Sequence, residues 1–173
     1  MPVNKWKKAV LIGGASLIIL LAIVTVFKSM QPQQGIPAPD FTLIDVRGET
    51  LSLSDFKGKV VVLDLMATWC APCREEIKHL SALYEKYPIN VAIITISVDP
   101  KFDTNETLKQ LVGDNAIKWF VARDTANVNR DYGVSVIPTL VIIDKNGYIR
   151  ARFEGLTTTS TLSKEIDNLL SEK

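Results

Sequence analysis

The sequence predicts an α/β fold: a mixed central sheet flanked by helices and preceded by one transmembrane helix. Three observations predict it. From Lys59 onward, short runs rich in Val and Ile alternate with amphipathic stretches, the pattern of strands buried on both faces and joined by helices. Asn146-Gly147 separates the last two strand-like runs, a tight turn that makes this pair antiparallel and the sheet mixed. Ala9 to Phe27 carries no charged residue, and about 19 helical residues at about 1.5 Å each approach the hydrocarbon thickness of a bilayer.

The N-terminal elements follow from charge and proline. Lys5, Lys7 and Lys8 precede the apolar run, and lysines on that flank hold it in the cytoplasm. Residues 1–8 are thus predicted as a cytoplasmic flank, 9–28 as a signal anchor and 29–37 as an extracytoplasmic linker, with Trp6 placed to anchor at the interface. The competing reading, a cleaved signal peptide, has a shorter apolar region and ends in a small-x-small site. Lys28-Ser29-Met30-Gln31 offers no such site, which favours an anchor that stays attached. The linker contains Pro32 and Pro37, with Pro39 just beyond, and no periodicity, as suits an extended tether.

The domain is predicted over 38–173. Phe41-Thr42-Leu43-Ile44 and Thr50-Leu51-Ser52-Leu53 flank a turn containing Gly48, an N-terminal β-hairpin. Ser54 to Gly58 reads as a short helical turn. Val60 to Ala67 is the first central strand, Ala71 to Tyr87 a helix stopped by Pro88, and Val91 to Val98 the next strand. A helix-strand insertion follows: Thr104 to Val112, ending near Gly113, then a strand over Lys118 to Ala122. A short helix over Thr125 to Tyr132, with Thr125 as N-cap, leads to strands over Thr139 to Ile143 and Tyr148 to Phe153. A last helix covers about Ser160 to Ser171.

Composition excludes some functions. Twenty basic and 19 acidic residues leave a net charge of +1, so no strong field points to nucleic acid. The only cysteines are Cys70 and Cys73, in Trp69-Cys70-Ala71-Pro72-Cys73 at a strand-to-helix junction. The loop they close is too short to staple a fold. A metal site needs about four ligands, and one histidine with no second cysteine pair cannot complete it from nitrogen and sulfur, so no metal and no cofactor are expected. A pair of small buried hydrophobes is the bland reading. A dithiol redox centre fits the spacing better: a cysteine capping the helix meets free N–H groups and the positive end of the dipole, which favour a thiolate, and the second sulfur lies one turn behind it.

Other residues near the pair carry possible chemistry. Asp64 is the one charge in Val60-Val61-Val62-Leu63-Asp64-Leu65-Met66. If buried, it loses hydration and exchanges a proton near neutral pH; at a frayed strand end it would merely be solvated. Glu76 follows Cys73 by three residues, on the same helical face, where most glutamates are surface decoration. Two carboxylates near one thiol pair would titrate together. Pro138, beside Ile137 at the start of a strand, costs a ladder donor unless it sits at an edge or bulge. His79 is read as a surface residue and Trp119 as core.

Trp69-Cys70-Ala71-Pro72-Cys73 after a hydrophobic strand, with Val136-Ile137-Pro138-Thr139-Leu140 further on, resembles the thioredoxin superfamily. The N-terminal anchor, the Pro39-Asp40-Phe41 entry, the Leu51 to Gly58 segment and the insertion over about 100–122 resemble its membrane-anchored TlpA/ResA-like thiol-disulfide oxidoreductases. The likeness covers most of 38–173 and is strongest between Leu51 and Glu76. It implies a thioredoxin-like fold, Cys70 as nucleophile, Cys73 as resolving thiol, a cis bond before Pro138, and Asp64 and Glu76 as proton-handling acids. Trp69, Ala71, Pro72, Ile137 and Pro138 would contact the substrate, Ile137 through its backbone. Met66 departs from the aromatic residue common at its position, which leaves the packing beneath the site to be determined.

The resemblance further implies an enzyme that reduces disulfides in protein substrates, apocytochrome c among them, with electrons from a membrane thiol donor and the domain outside the cytoplasm. An oxidising or isomerising protein differs only in potential. A peroxiredoxin should place a proline and a threonine seven and three residues before the cysteine, where Leu63 and Ala67 stand, so peroxide reduction is not expected. A copper-binding assembly factor usually needs CxxxC and a distant histidine, which this chain lacks.

Overall fold

The computed structural model describes residues 35–172. The anchor predicted over 9–28, its flank over 1–8 and most of the linker lie outside the described residues. Among the described residues no helix is long and apolar enough to cross a membrane.

Among the described residues, eight strands and four helices follow in order: β1 (Ile36–Pro37), β2 (Thr42–Ile44), β3 (Thr50–Ser52), a 3-10 turn (Leu53–Phe56), β4 (Val60–Met66), α1 (Ala71–Lys86), β5 (Val91–Ser97), α2 (Asn105–Asp114), β6 (Phe120–Arg123), α3 (Val128–Asp131), β7 (Thr139–Ile143), β8 (Tyr148–Glu154) and α4 (Thr159–Ser171). Six strands form one sheet in the order β1-β8-β7-β4-β5-β6, and β2 and β3 form the separate hairpin. β4 runs parallel to β5 and antiparallel to β7, and β7 is antiparallel to β8, so the sheet is mixed as predicted.

β4 is central, and its seven residues are all buried. Alternation splits them between two cores. Val60, Val62 and Met66 pack with Ile77, Leu80 and Leu83 of α1, Leu108 and Leu111 of α2, and Leu162, Ile166 and Leu169 of α4. Val61, Leu63 and Leu65 pack on the other face with Phe41, Leu43 and Leu53 of the hairpin region and with Val128 and Tyr132 around α3. Position 64 shares the parity of Val62 and Met66, which puts the lone carboxylate beneath α1.

The structure corrects several predicted boundaries. Ile36 and Pro37, predicted as linker, pair with Tyr148 and Ile149 as an edge strand, so the domain starts before residue 38. The strand predicted from Lys118 begins at Phe120, because the Arg47 guanidinium takes the carbonyls of Ile117 and Trp119 at 2.8 and 3.1 Å. The short helix starts at Val128, not Thr125. Its N-cap position is Asn127, which turns through the left-handed region at φ 60° and makes no side-chain cap bond; the Asp124 carboxylate, three residues earlier, accepts from the amides of Ala126, Val128 and Asn129 instead. The β7–β8 turn is longer than its Asn-Gly pair: it spans 144–147, with Asp144 Oδ1 accepting from the amides of Asn146 and Tyr148 and Gly147 at φ 88°. Thr104 and Thr158 cap α2 and α4 through their hydroxyls, the local device that lets polar residues start a helix.

Candidate active site

The chain leaves β4 at Met66, passes through Ala67-Thr68-Trp69 and enters α1. Cys70 is the N-cap: its backbone is extended at φ −76°, and its sulfur accepts from the Cys73 amide at 3.2 Å. Pro72 occupies the first turn, where its missing N–H costs nothing. Cys70 and Cys73 are joined in a disulfide, with Cα atoms 5.2 Å apart. Both sulfur-bearing residues are buried, whereas Ala71 and Pro72 are exposed and Trp69 is 59% exposed. The Trp69 indole is steadied by Asp99, which accepts its N–H at 3.1 Å.

A buried acid that the sequence did not single out holds this loop. Asp103 accepts from the Thr68 amide at 2.9 Å, from the Ser97 hydroxyl at 2.6 Å and from the Thr68 hydroxyl. Each bond satisfies a group that would otherwise be stranded near the site. Arg74, one helical turn in, donates to the Thr68 carbonyl at 2.8 Å.

Beneath the pair lie the two carboxylates. α1 buries Cys73, Glu76, Ile77, Leu80 and Leu83, the stripe of a helix that presents one face to a sheet. Glu76 is only 1% exposed, so it belongs to that stripe and not to the surface. Its Oε1 accepts from the Thr157 amide at 2.8 Å, and its Oε2 has no partner. Asp64, 2% exposed, accepts at Oδ2 from the Thr95 hydroxyl at 2.9 Å, and its Oδ1 likewise has no partner. Loss of hydration, opposed by the Thr95 hydrogen bond, pushes Asp64 up to about 7. Burial, reinforced by the Asp64 charge and opposed by the Thr157 amide, pushes Glu76 up to about 8. The two therefore change charge near neutral pH, and each resists ionisation of the other.

The Ile137-Pro138 bond is cis. Pro138 precedes β7, so it costs the ladder no donor, and its carbonyl accepts from Gly155 at 2.8 Å. Ile137 packs against the core that contains Cys70 and Cys73, and Val136 is exposed. Met66 is fully buried in that same core, so a thioether fills the space where an aromatic ring is common. His79 stands apart, its Nδ1 bonded to the Thr159 hydroxyl at 3.1 Å. Cys70, Cys73 and Met66 thus share one buried core against which Ile137 packs, Glu76 and Asp64 are buried close enough to feel each other's charge, and Trp69, Ala71 and Pro72 lie exposed around the pair.

A dithiol at a helix start, sharing its core with buried protonatable carboxylates, can exchange disulfides with a polypeptide. Comparison with known proteins gives the same chemistry. Residues 35–152 match the AhpC/TSA family. The chain belongs to that thioredoxin-like family. It is 33% identical over 144 residues to the thiol-disulfide oxidoreductase ResA of Bacillus thuringiensis subsp. konkukian, covering 82% of each chain. It is 31% identical over 140 residues to the thioredoxin-like protein YneN of Bacillus subtilis, covering 81% of this chain and 82% of that one.

Among solved structures, the thioredoxin domain of a thiol-disulfide oxidoreductase from Bacteroides vulgatus superposes with a TM-score of 0.67 at 27% identity, covering 79% of this chain and 99% of that one. A DsbF homologue from Corynebacterium diphtheriae gives 0.72 at 26%, covering 80% and 89%. Family, fold and cysteine pair make this protein a thiol-disulfide oxidoreductase of ResA type. Leu63 and Ala67, the positions at which a peroxiredoxin would carry its proline and threonine, are both buried apolar residues, so no hydroxyl from Ala67 reaches the sulfur.

Proposed function

We propose that the protein is an extracytoplasmic reductase of protein disulfides, held at the membrane by residues 9–28 and recharged by a membrane thiol donor. The observation that carries the direction is the pair of buried carboxylates behind the dithiol. A dithiol becomes a strong oxidant when its reduced form is stabilised. Asp64 and Glu76 turn anionic near pH 7 to 8, and negative charge beneath the pair opposes the thiolate that the helix N-terminus favours. The reduced form gains little, and the couple is pushed toward the reducing side.

In the forward reaction the Cys70 thiolate attacks one sulfur of a substrate disulfide, and the other substrate sulfur leaves and takes up a proton. Cys73 then gives its proton to Glu76 or Asp64 and attacks the Cys70 sulfur. The second substrate sulfur leaves as a thiolate and takes the proton from that carboxyl, and Cys70 and Cys73 end as the disulfide. Two electrons and two protons from the membrane donor restore the dithiol. Trp69, Ala71 and Pro72 border the substrate, and the Ile137 backbone pairs with it as an added strand.

Apocytochrome c is the proposed substrate, because its Cys-x-x-Cys-His segment must be reduced before haem attaches. Support comes from the likeness to ResA proteins and from the apolar run of residues 9–27 that predicts an anchor. The test is a reduction potential together with reduction of an oxidised Cys-x-x-Cys-His peptide. A potential near the roughly −270 mV of thioredoxin, with peptide reduction, is expected; one near the roughly −120 mV of DsbA, with no peptide reduced, overturns the direction. A Cys73→Ala variant should hold its substrate as a mixed disulfide on Cys70, identifiable by mass, and recovery of no disulfide-linked protein would contradict the exchange itself.

A further inference from the structure

Asp64 has a neighbour that the exchange reaction does not use. Trp119, at the end of the loop before β6, is buried, and its indole N–H donates to the Thr95 hydroxyl at 3.0 Å. Thr95 is fully buried on β5, directly opposite Asp64 in the parallel register, and it donates to Asp64 Oδ2. An indole N–H can only donate, and a hydroxyl has one proton to give. With Trp119 occupying one lone pair of Thr95 Oγ1, the threonine proton has Asp64 Oδ2 as its acceptor, and a proton on Oδ2 could donate to the remaining lone pair only by stranding the buried threonine O–H. Oδ2 is therefore committed as an acceptor whether or not Asp64 is ionised. Oδ1 is the oxygen without a partner.

We infer that Trp119 and Thr95 are positioning residues that lock Oδ2 as an acceptor and leave Oδ1 as the oxygen through which Asp64 takes and gives its proton. The inference deepens the reading of Asp64 as a proton carrier and rests on it for its use in turnover, but not for its structural test. The titratable groups that face this region are few. α1 supplies Glu76, the Cys73 thiol once the disulfide is reduced, and Tyr84, whose ring lies 5.8 Å from that of Trp119. α2 and α4 contribute Leu108, Leu111, Leu162 and Ile166, and β7 contributes Leu140, paired with Asp64. Among the described residues the relay is thus the neutral device that favours the ionised acid, against burial and Glu76, which disfavour it.

The experiment follows the Asp64 carboxyl by 13C NMR in the full-length, disulfide-bonded protein, with the resonance assigned by its loss in Asp64→Asn. Thr95→Val should raise the titration midpoint by about one pH unit, a tenfold gain in proton affinity, and Thr95→Ser should leave it near wild type. Trp119→Phe, which keeps a ring against Tyr84, should raise it by a smaller amount in the native background and not at all when combined with Thr95→Val. A merely loosened core would admit water and lower the midpoint, the opposite sign. An unchanged or lowered midpoint in Thr95→Val, or an equal effect of Trp119→Phe with and without Thr95, overturns the proposal. The titration is read without substrate, so it stands or falls separately from the reductase reading.

Discussion

Replacing Asp64 with asparagine should stabilise the disulfide-bonded protein at alkaline pH and do little or mild harm at acid pH. Burial raises this carboxyl from 3.8 to about 7, a gap of about three pH units, and each unit is worth about 1.4 kcal/mol. Below about pH 4 the acid is protonated in folded and unfolded chains alike, and burial imposes no ionic cost. Between pH 4 and 7 the unfolded chain has released the proton that the folded chain still holds, so stability falls as pH rises, and the loss is complete above about pH 7. Asparagine does not titrate. The stability difference between variant and wild type should therefore swing by up to about 4 kcal/mol in favour of the variant between pH 4 and pH 9. At pH 4 the variant can be slightly less stable, because its amide N–H replaces the unpartnered Oδ1 and finds no acceptor. Urea unfolding at intervals across this range, read by tryptophan fluorescence, measures the swing. A Glu76→Gln background removes the coupled acid and isolates Asp64. Parallel stability curves, with a swing under about 1 kcal/mol, would refute the account of a carboxylate held neutral by burial.

Two further variants test neighbouring parts of the site. Glu76 must be ionised to accept the Cys73 proton, so release of substrate from the mixed disulfide should accelerate as pH rises through about 8; stopped-flow kinetics of Glu76→Gln combined with Asp64→Asn should show a slower and flatter profile, and an unaltered profile would remove both acids from the mechanism. Asp103→Ala strips three donors around Thr68 and Ser97 of their acceptor. It should cost at least about 2 kcal/mol in chemical denaturation and speed amide exchange at Thr68, whereas a loss under about 0.5 kcal/mol would mean that the loop does not depend on it.

Legibility in the sequence tracked the range of the interaction responsible. The Val- and Ile-rich runs, the hairpin and the helices were readable because periodicity is local. Asp64 was readable for the same reason: a single charge in an apolar strand is visible without knowing what surrounds it. Glu76 was not distinguishable by composition from Glu75, its exposed neighbour paired with Lys78. Only the rotation of α1 set by Cys73, Ile77 and Leu80 buries one and exposes the other, and the family resemblance supplied what periodicity left open. Asp103 holds Thr68 from 35 residues away, and Thr95 reaches Asp64 and Trp119 across 31 and 24 residues, and no local pattern marks such pairs. The start of the short helix is not readable at Thr125 because its amides are satisfied by the Asp124 carboxylate reaching three of them at once, which moves the N-cap on to Asn127.

The contact between Glu76 and Thr157 carries a consequence for how this site can vary. The acid is held by a main-chain amide, not by the threonine side chain, whose hydroxyl donates instead to the carbonyl of Gly155. Any residue except proline can supply that amide. The anchor of a buried acid can thus persist while the letter at position 157 drifts freely, leaving no trace for a comparison of side chains to find. Divergence across this loop is compatible with an unchanged site, and a proline at 157 is the one substitution that would signal its loss.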